Sequence, residues 1–442
     1  MNRTHAVLAV SLLSTALAAS ATAQGTAPVA NATVPPGANT SDPSAPFYID
    51  LTGLDLQTMP PTRDPTNSNY PPATELPDGA VPPRRGSGNF IIGPTHTAAP
   101  ETAERPDRPK GQVHSFTLTS ADSVIYKPGR VREESSLNAT VYTAPTAPGD
   151  PSNLIITSSH AGSWTRTVTV YVPPGYSPGT EAPLLVAGDG DLPLPTAGQQ
   201  LFTVLDNLIA EHRIPPVVAV TIGSGGQDAQ GSERGREYDE VSGTYADWVE
   251  SEVLPAVEQK VGIRLTRDPN ARATMGISSS GAAAFTMAWF RPDLYRRVLA
   301  YSPTFVNQQW PHDPALPGGA WEYHSPWAGP ARPNLVASGF TPPALTDAST
   351  GSPLVPNSPR KPIRFWFEVG DHDLFYPAVP LADGMHDWVL ANENMARALA
   401  AKRYQYQFVF ARNASHVDGP TTLQTLPTAL EWVWAGYPQP VK

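Results

Sequence analysis

The sequence predicts an α/β fold with a mostly parallel central sheet flanked by helices, N-terminal antiparallel strands and a Pro-rich N-terminal extension. Beyond residue 183, apolar runs of strand length alternate with segments of helical periodicity, which is typical of a parallel sheet covered by helices. Short β-branched segments precede this alternation, and the 51 prolines concentrate before residue 111 and between residues 311 and 360. In such a fold we expect ligands to bind at the carboxyl ends of the strands.

The first 23 residues have the pattern of a secretory signal peptide. Arg3 gives a positive start, an apolar run extends from Ala6 to about Ala19, and Ala21-Thr22-Ala23 forms a small-x-small cleavage signal. The apolar run is short and interrupted by small polar residues, which argues against a membrane anchor. We therefore expect cleavage before Gln24 and a secreted or periplasmic protein without a membrane span.

Residues 24–111 are predicted to be extended or disordered. They are rich in Pro, Thr, Ala, Asn and Gly, and proline removes N–H donors and blocks helix formation. Few bulky apolar side chains are available to form a core. A spacer with short ordered pieces at FYIDLTGLDL or NFIIG is one interpretation, and a strap docked across the folded domain is the alternative.

Residues 112–442 are predicted to form the folded domain. Early strands are predicted at HSFTLTS, SVIY, SLNATVYTA, NLIITSS and RTVTVYVPP. Buried strands are predicted at APLLVAGDG, PPVVAVTIG, ARATMGI, RRVLAYSP, PIRFWFEVG and YQYQFVFA. Helices are predicted at AGQQLFTVLDNLIAEHRI, TYADWVESEVLPAVEQKVGI, SGAAAFTMAWFRP, WVLANENMARALAAK and TLPTALEWVWAG.

The segment from residue 311 to residue 360 interrupts this alternation. It is Pro-rich, lacks clear periodicity and carries Trp321, Tyr323 and Trp327. A loop of this length inside a compact domain is usually functional or disordered. Because it follows the strand after the serine-containing helix, it either lines a pocket or is a disordered insertion.

The composition excludes several classes of function. The formal net charge of −10 is opposite in sign to the basic face of a nucleic-acid-binding protein. The chain has no cysteine, which excludes disulfides, thiolate nucleophiles and Cys-ligated metals. The sequence also has no Gly-rich phosphate loop, His-x-x-x-His pair or EF-hand spacing, so we expect no required metal or cofactor.

The segment TMGISSSGAAAF joins a predicted strand to a predicted helix. An ester or amide hydrolase built on an α/β sheet carries its serine on such a turn, where the residues two before and two after it must be small. Ser278 has Gly276 and Ser280 at these positions. Ser279 has the β-branched Ile277 two residues before it, and Ser280 lies deeper in the helix. Ser278 is therefore the predicted nucleophile.

A serine hydroxyl needs a base, and the chain order expected for this fold is serine, acid, histidine. His416 follows the strand YQYQFVFA by a short loop, where a base can reach over the strand ends, although position alone fits a surface histidine equally well. The other downstream histidines are less well placed: His312, His324, His372 and His386.

The acid that orients the imidazole is expected after PIRFWFEVG, where Asp371 and Asp373 are both possible. The Gly-x-x-Asp spacing favours Asp373 and leaves Asp371 as a turn or capping residue. His372, between them, is predicted to face the surface.

Two backbone N–H groups should meet the oxyanion that develops on the substrate carbonyl. One is the N–H of Ser279, next to the nucleophile. The other is expected in the loop Ala187-Gly188-Asp189-Gly190-Asp191 after the first buried strand, where the N–H of Asp191 is predicted. The alternative is that this loop only ends the strand.

Several longer motifs follow one another along the chain: YDEVSGTYADWVESEVLPAVEQKVGI, RATMGISSSGAAAFTMAWFRPDLYRRVLAYSPTF, KPIRFWFEVGDHDL, DWVLANENMARAL and FARNASHVDG. Together they resemble the putative esterase family, which includes enterochelin esterases and esterase D and belongs to the α/β-hydrolase superfamily. The resemblance extends from about Gly111 to the C-terminus. It implies Ser278 as nucleophile, Asp373 as acid and His416 as base, with the oxyanion loop after VAGDG.

The chain departs from the family pattern in three places. Family members commonly have glycine where this chain has Ser280. This chain also carries insertions at about residues 126–165 and 326–351 that are longer than the family pattern predicts. The second of these insertions lies near the expected substrate entrance, so the family's substrates do not transfer directly.

The residues and the resemblance together predict a secreted serine esterase that hydrolyses carboxylic esters through an acyl-enzyme. Candidate substrates are small-molecule or polysaccharide-linked esters of siderophore, feruloyl or acetyl type. One alternative is an acyltransferase on the same fold that uses a sugar or lipid hydroxyl in place of water. The other is a non-catalytic envelope-binding module tethered by its Pro-rich arm, against which the order of Ser, Asp and His argues.

Overall fold

The computed structural model describes residues 72–132, 159–226, 231–306, 316, 318–326, 353–374 and 387–438, and the strand backbones at 47–50, 141–142 and 154–157. The predicted signal peptide, His312, Trp327 and His386 lie outside these residues.

The structure contains strands and helices in alternation through most of its length. The strands are β1 (Phe47–Asp50), β2 (Ala73–Glu75), β3 (Gly88–Ile92), β4 (Gln112–Thr119), β5 (Gly129–Arg132), β6 (Val141–Tyr142), β7 (Leu154–Thr157), β8 (Ser159–Gly162), β9 (Thr165–Val172), β10 (Glu181–Ala182), β11 (Leu184–Ala187), β12 (Val218–Ile222), β13 (Arg264–Leu265), β14 (Arg272–Ile277), β15 (Arg297–Tyr301), β16 (Arg364–His372) and β17 (Gln405–Ser415). The helices are α1 (Gly198–Ala210), α2 (Glu233–Tyr238), α3 (Thr244–Trp248), α4 (Leu254–Val261), α5 (Ser278–Phe290), α6 (Leu354–Asn357), α7 (Trp388–Ala401) and α8 (Gly419–Trp434).

Ten of the described strands form one sheet in the order β2-β3-β17-β16-β15-β14-β11-β12-β9-β4. Neighbouring strands from β2 to β12 are parallel. Only at the other edge of this sheet does β9 run antiparallel to both β12 and β4. This mixed sheet with flanking helices has the α/β-hydrolase fold, which confirms the predicted fold class.

The order of strands explains where a site can form. The chain passes from β11 to β12 on one side and later returns to β14 on the other side of β11. The carboxyl end of β11 is therefore a topological switch point, where open α/β sheets bind ligands.

Each face of the sheet is covered by its own apolar core. All four residues of β11 are buried: Leu184 and Val186 pack on one face, and Leu185 and Ala187 on the other. Helices α3, α4, α5 and α7 cover the first face, whereas α1 and α8 cover the second. Burial on both faces explains why this strand reads as a continuous apolar run.

Residues 72–111 cross the face covered by α1 and α8. At one edge of the sheet, β3 pairs in parallel with β17. The chain then binds both helices, since Ala99 N–H donates to Leu423 O at 3.1 Å and Asn207 Nδ2 donates to Glu101 O at 2.8 Å. At the opposite edge, Gly111 N–H donates to Asp206 Oδ1 at 2.8 Å, just before β4. The described part of this segment, which we call the strap, therefore runs from one edge of the sheet to the other and contributes β2 and β3 to it.

Three local predictions were wrong or incomplete. SVIY is not a strand, because the Glu252 carboxylate accepts the N–H groups of Val124 at 3.0 Å and Ile125 at 2.9 Å, which a strand would use for pairing. The long helix predicted at residues 244–263 is divided into α3 and α4 by a π-helical turn at Val249–Val253. Helix α2 has too few residues for helical periodicity to reveal it.

Candidate active site

The carboxyl ends of three parallel strands bring Ser278, Asp373 and His416 into contact. Ser278 follows β14, Asp373 follows β16, and His416 follows β17. Nε2 of His416 lies 3.0 Å from Ser278 Oγ, and Nδ1 of His416 lies 2.5 Å from Asp373 Oδ1. These two contacts make one continuous chain of hydrogen bonds from a carboxylate through an imidazole to a hydroxyl.

The turn between β14 and α5 has a backbone that is unusual for serine. Ser278 has φ 51°, in the left-handed region that non-glycine residues rarely occupy. A Cβ on Gly276 would lie 2.1 Å from Ser280 O, so no side chain fits there. The Ser280 hydroxyl accepts from Ile277 N at 2.9 Å and donates to Ile277 O at 2.8 Å. The small residues around Ser278 therefore allow a sharp turn that leaves its hydroxyl partly exposed.

Packing and backbone contacts hold the imidazole of His416. The Asp373 carboxylate is fully buried, and its Oδ1 also accepts the N–H of Leu374 at 2.6 Å. The rings of Trp388 and His416 pack edge-to-face, with their centroids 5.8 Å apart. Behind the ring, Val417 N–H donates to Ser302 Oγ at 2.9 Å. Trp388 and Ser302 were not predicted, because nothing in their local sequence indicates proximity to His416.

The structure separates the two aspartates that the sequence left open. Asp371 Oδ1 accepts the N–H of Ala414 at 3.2 Å and lies 2.6 Å from Nδ1 of His372. The His372 side chain is 72% exposed. Asp371 thus ties the end of β17 to the end of β16, and of these two aspartates only Asp373 contacts His416.

Two further carboxyl groups lie near Asp373. Burial raises the pKa of Glu368 well above its ordinary range, and the negative charge of Asp373 raises it further. Burial likewise raises the pKa of Asp387 to about 6, with a smaller contribution from Asp373. Asp387 also caps α7, since its Oδ1 accepts Leu390 N–H at 3.0 Å. At neutral pH Glu368 therefore favours the neutral acid, whereas Asp387 is mostly ionised and becomes neutral only below about pH 6.

Of the four N–H groups at residues 188–191, directly after β11, three have an acceptor among the described residues. Gly188 N–H donates to Met275 O at 3.0 Å, Asp189 N–H to Tyr238 Oη at 3.1 Å, and Gly190 N–H to Ile222 O at 2.9 Å. Among the described residues, nothing accepts the N–H of Asp191, the next in the loop. Ser279 N–H lies in the first turn of α5, where helix N–H groups have no acceptor within their own helix.

A buried ion pair holds this loop. Arg234 donates from Nε to Asp189 Oδ1 at 2.9 Å and from Nη2 to Asp189 Oδ2 at 2.8 Å. The Asp189 side chain is 1% exposed and its backbone is left-handed, with φ 51°. Two parallel bonds from a planar guanidinium fix the orientation of a carboxylate as well as its position.

Helix α2 carries further buried charges beside this pair. Arg166 donates to Glu237, and its guanidinium stacks 3.8 Å from the ring centroid of Trp164. Burial, with a smaller contribution from the charge of neighbouring Glu237, raises the pKa of Glu233 to about 8. Glu233 Oε2 accepts the N–H of Arg130 at 2.7 Å.

The described part of the irregular segment packs against the serine helix. A 3₁₀ turn at Gly319–Tyr323 buries Trp321 and Tyr323. The hydroxyl of Tyr323 lies 2.8 Å from Thr286 Oγ1 in α5. His324 Nε2 lies 2.9 Å from Phe305 O, and burial lowers the pKa of His324 to about 4. These residues form an ordered support beside the site.

The described residues contain neither a metal-site cluster nor a helix of membrane-spanning length and hydropathy. No cluster of three or more His, Asp and Glu side chains there has the arrangement of a metal site. No helix in the same part of the chain is long and apolar enough to cross a membrane.

Comparisons with solved structures find low-similarity relatives. A ferulic acid esterase is 16% identical with a TM-score of 0.42, covering 74% of this chain and 98% of its own. The feruloyl esterase module from Clostridium thermocellum, complexed with sinapinate, is 14% identical with a TM-score of 0.43, covering 81% and 98%. An enterochelin esterase from Shigella flexneri is 18% identical with a TM-score of 0.40, covering 61% of this chain and 55% of its own. At this level of similarity, no residue role is transferred from them.

A comparison with curated proteins finds no match. The profile of the family described as "Putative esterase" matches residues 159–405, which is more than half of the chain. The matched region runs from β8 to the first residue of β17 and includes Ser278 and Asp373. The chain therefore belongs to the putative esterase family of carboxylic ester hydrolases.

Proposed function

We propose that this protein is a secreted serine esterase that uses Ser278, His416 and Asp373 as its catalytic residues. The observation that carries the proposal is the hydrogen-bonded chain from Asp373 through His416 to Ser278, at distances of 2.5 and 3.0 Å. Distances of this size are those required for proton transfer between a nucleophile and its base. The signal-peptide pattern of the first 23 residues supports secretion.

In the first step, Ser278 Oγ attacks the ester carbonyl carbon while His416 Nε2 takes the hydroxyl proton. Asp373 accepts a hydrogen bond from Nδ1–H, which fixes the tautomer and stabilises the imidazolium that forms. The tetrahedral intermediate then collapses, the C–O bond to the alcohol breaks, and His416 returns its proton to the leaving alcohol oxygen. The product of this half-reaction is an acyl ester of Ser278.

The N–H groups of Ser279 and Asp191 are proposed to stabilise the oxyanion of the tetrahedral intermediate. The absence of an acceptor for Asp191 N–H among the described residues supports this assignment. The position of Ser279 at the start of α5 also favours negative charge, because the helix dipole is positive there.

Water completes the reaction by the same route. His416 takes a proton from the water as its oxygen attacks the acyl carbonyl carbon, and the Ser278 ester bond breaks. The proton returns to Ser278 Oγ, which releases a carboxylic acid and restores the free enzyme. The proposed substrates are small-molecule or polysaccharide-linked esters, for which siderophore, feruloyl and acetyl esters form the first panel.

The test compares the wild-type protein with Ser278→Ala on p-nitrophenyl acetate. We expect hydrolysis by the variant to fall to the background of the assay, and a fluorophosphonate probe to label only the wild type. Ser279→Ala is the matched control, because it keeps the backbone N–H and alters an adjacent hydroxyl. Full activity in Ser278→Ala would contradict the proposal that Ser278 is the nucleophile.

Product analysis separates hydrolysis from acyl transfer. With a feruloyl or acetyl ester as donor, a hydrolase releases free acid at the same rate whether or not a sugar acceptor is present. An acyltransferase would instead give a new ester and a rate that rises with acceptor concentration. Lack of fluorophosphonate labelling in the wild type would favour a binding module over either enzyme.

A further inference from the structure

A second concave site lies at the end of the sheet opposite to Ser278. Its cavity of about 400 Å³ is formed where β15, β16 and β17 begin, next to the end of α8. The nine residues of β16 separate this cavity from Asp373, which corresponds to about 30 Å of extended strand. The volume is within the range of small-molecule sites, about 300–1,000 Å³.

The walls of this cavity, which we call the basic pocket, carry positive side chains and no carboxylate. The cationic lining residues are Arg296, Arg297, Arg360, Lys361 and Arg364. In the portions of the chain that the structure describes, the hydrogen bonds of these five side chains go to carbonyl oxygens and not to carboxylates, although the charge of Arg296 acts on nearby Asp293. For a protein with a net charge of −10, this is a marked local concentration of positive charge.

The two inner guanidinium groups are fixed by main-chain carbonyls. Arg297 donates from Nε to Asn270 O and from Nη1 to Val433 O, each at 2.5 Å, and Arg364 donates from Nη1 to Ala435 O. Nη2 of Arg297 and Nη2 of Arg364 have no acceptor among the described residues. Fixed donors without protein partners are suited to a ligand that supplies several acceptor oxygens.

Burial disfavours the charges of the two inner arginines, and for Arg297 the nearby Tyr437 and Asp268 offset this only in part. Burial lowers the pKa of Arg297 to about 10. Burial also lowers the pKa of Arg364 to about 10, and the charge of Arg297 contributes to this shift. Both groups remain protonated at neutral pH, so a bound anion would relieve an existing repulsion.

The side chains of Arg360 and Lys361 each donate one hydrogen bond within the described residues, and the Lys361 ammonium also lies 4.3 Å from the ring centroid of Trp289. Arg360 donates from Nη1 to Arg403 O at 2.8 Å and is otherwise exposed. Lys361 donates from Nζ to Trp289 O at 2.5 Å. Neither contact neutralises charge, because both acceptors are main-chain carbonyls.

We propose that the basic pocket binds the phosphoryl group of a small phosphorylated molecule. Arginine presents paired N–H donors that match the geometry of phosphate oxygens, and lysine adds a point charge. The cavity exceeds the size of free phosphate, so an organic phosphate fills it better than the inorganic ion. This binding is independent of ester hydrolysis, since the pocket and Ser278 lie at opposite ends of the sheet.

The test measures binding of glucose 6-phosphate, inorganic phosphate and glucose to the full chain by calorimetry at constant ionic strength. We expect glucose 6-phosphate to bind more tightly than phosphate, and glucose not to bind. Equal affinity for the two phosphates would identify the free ion as the ligand. Binding should survive labelling of Ser278 by a fluorophosphonate, which separates this site from the proposed active site.

The double variant Arg360→Gln/Lys361→Gln leaves the inner arginines and their helix contacts in place. We expect it to weaken binding by about tenfold or more. The matched control, Arg85→Gln/Lys127→Gln, removes the same charge from exposed positions outside the pocket and should change affinity less than about twofold. Equal effects of the two double variants would overturn the proposal, because they would indicate only long-range charge.

Hydrogen exchange on the unmodified protein gives a second measurement that needs no variant. Glucose 6-phosphate should slow exchange at residues 360–364 and 404–405, which line the pocket. Protection confined to the opposite end of the sheet, or no binding at millimolar ligand, would overturn the assignment.

Discussion

Arg234 donates two parallel hydrogen bonds of 2.9 and 2.8 Å to the carboxylate of Asp189, which is fully buried in the loop after β11. The same loop carries the Asp191 N–H that is proposed to bind the oxyanion. Tyr238, which follows Arg234 in α2, places its hydroxyl 3.1 Å from Asp189 N. Helix α2 therefore holds both the side chain and the backbone of Asp189, and the position of Asp191 depends on these contacts.

Arg234→Gln is expected to lower kcat by about 10- to 100-fold with a smaller change in KM, because a displaced oxyanion donor weakens transition-state binding. Arg234→Lys should give an intermediate value, since it keeps the charge and loses the paired donors. The control is Arg213→Gln, an arginine of similar burial that pairs with Glu431 away from the site. The measurement is steady-state kinetics, with kcat calculated per serine labelled by the fluorophosphonate probe. An equal loss of kcat in Arg234→Gln and Arg213→Gln would contradict this prediction.

Asp373→Asn is expected to lower kcat by about 10⁴-fold, the size of effect seen when a triad acid no longer fixes the histidine tautomer. Asp371→Asn is the matched control, because its side chain contacts Ala414 N–H and His372 instead of His416. We expect Asp371→Asn to retain activity within a few-fold. Ester hydrolysis assays on both proteins decide between the two aspartates that the sequence left open.

Gly276→Ala is expected to destabilise the fold by about 1–3 kcal/mol or more, because its Cβ would lie 2.1 Å from Ser280 O. Gly419→Ala, at the start of α8, is the control, since no atom lies within 4 Å of its added Cβ. Urea denaturation should show a lower midpoint for the first variant and no loss for the second. A stable, fully active Gly276→Ala protein would rule out the tight turn described here.

Ser280→Ala is expected to cost about 1–3 kcal/mol of stability, because it leaves the buried Ile277 N–H without the hydroxyl that accepts from it at 2.9 Å. The folded variant should keep kcat within a few-fold, since the hydroxyl of Ser280 bonds to Ile277 and not to His416. Thermal melts and p-nitrophenyl acetate assays separate the two effects. A large loss of kcat at full stability would instead assign this hydroxyl to the reaction.

Glu233→Gln is expected to become relatively more stable than wild type as pH rises from about 4.5 to 8. Burial raises the pKa of Glu233 from 4.5 to about 8, so the folded protein binds more protons than the unfolded chain in this window. Wild-type stability therefore falls there with rising pH. Glutamine keeps a carbonyl acceptor for Arg130 N–H and cannot ionise.

The measurement for Glu233→Gln is the free energy of unfolding across this pH range. Glu181→Gln, at an exposed position outside α2, serves as the control for the general effect of replacing a glutamate by glutamine. A constant difference between Glu233→Gln and wild type would show that Glu233 ionises normally in the folded protein.

Local patterns were sufficient to predict the sheet and the turn that carries Ser278. Continuous apolar runs identify strands such as β11 because burial on both faces requires apolar side chains at every position. The turn is predictable because its requirement is local: Gly276 and Ser280 stand two residues from Ser278 and must fit within one sharp bend. The order of serine, acid and histidine needed only the positions of these residues relative to successive strand ends.

The tertiary structure decided what depends on residues far apart in the chain. His416 contacts Ser278 across 138 residues, and the choice between Asp371 and Asp373 followed from which carboxylate reaches that imidazole across 43 residues. Three further features also arise from distant segments: the strap formed by residues 72–111, the ion pair of Arg234 with Asp189, and the basic pocket. Side-chain periodicity reports only which face of an element is buried, so it carries no information on which distant group that face meets.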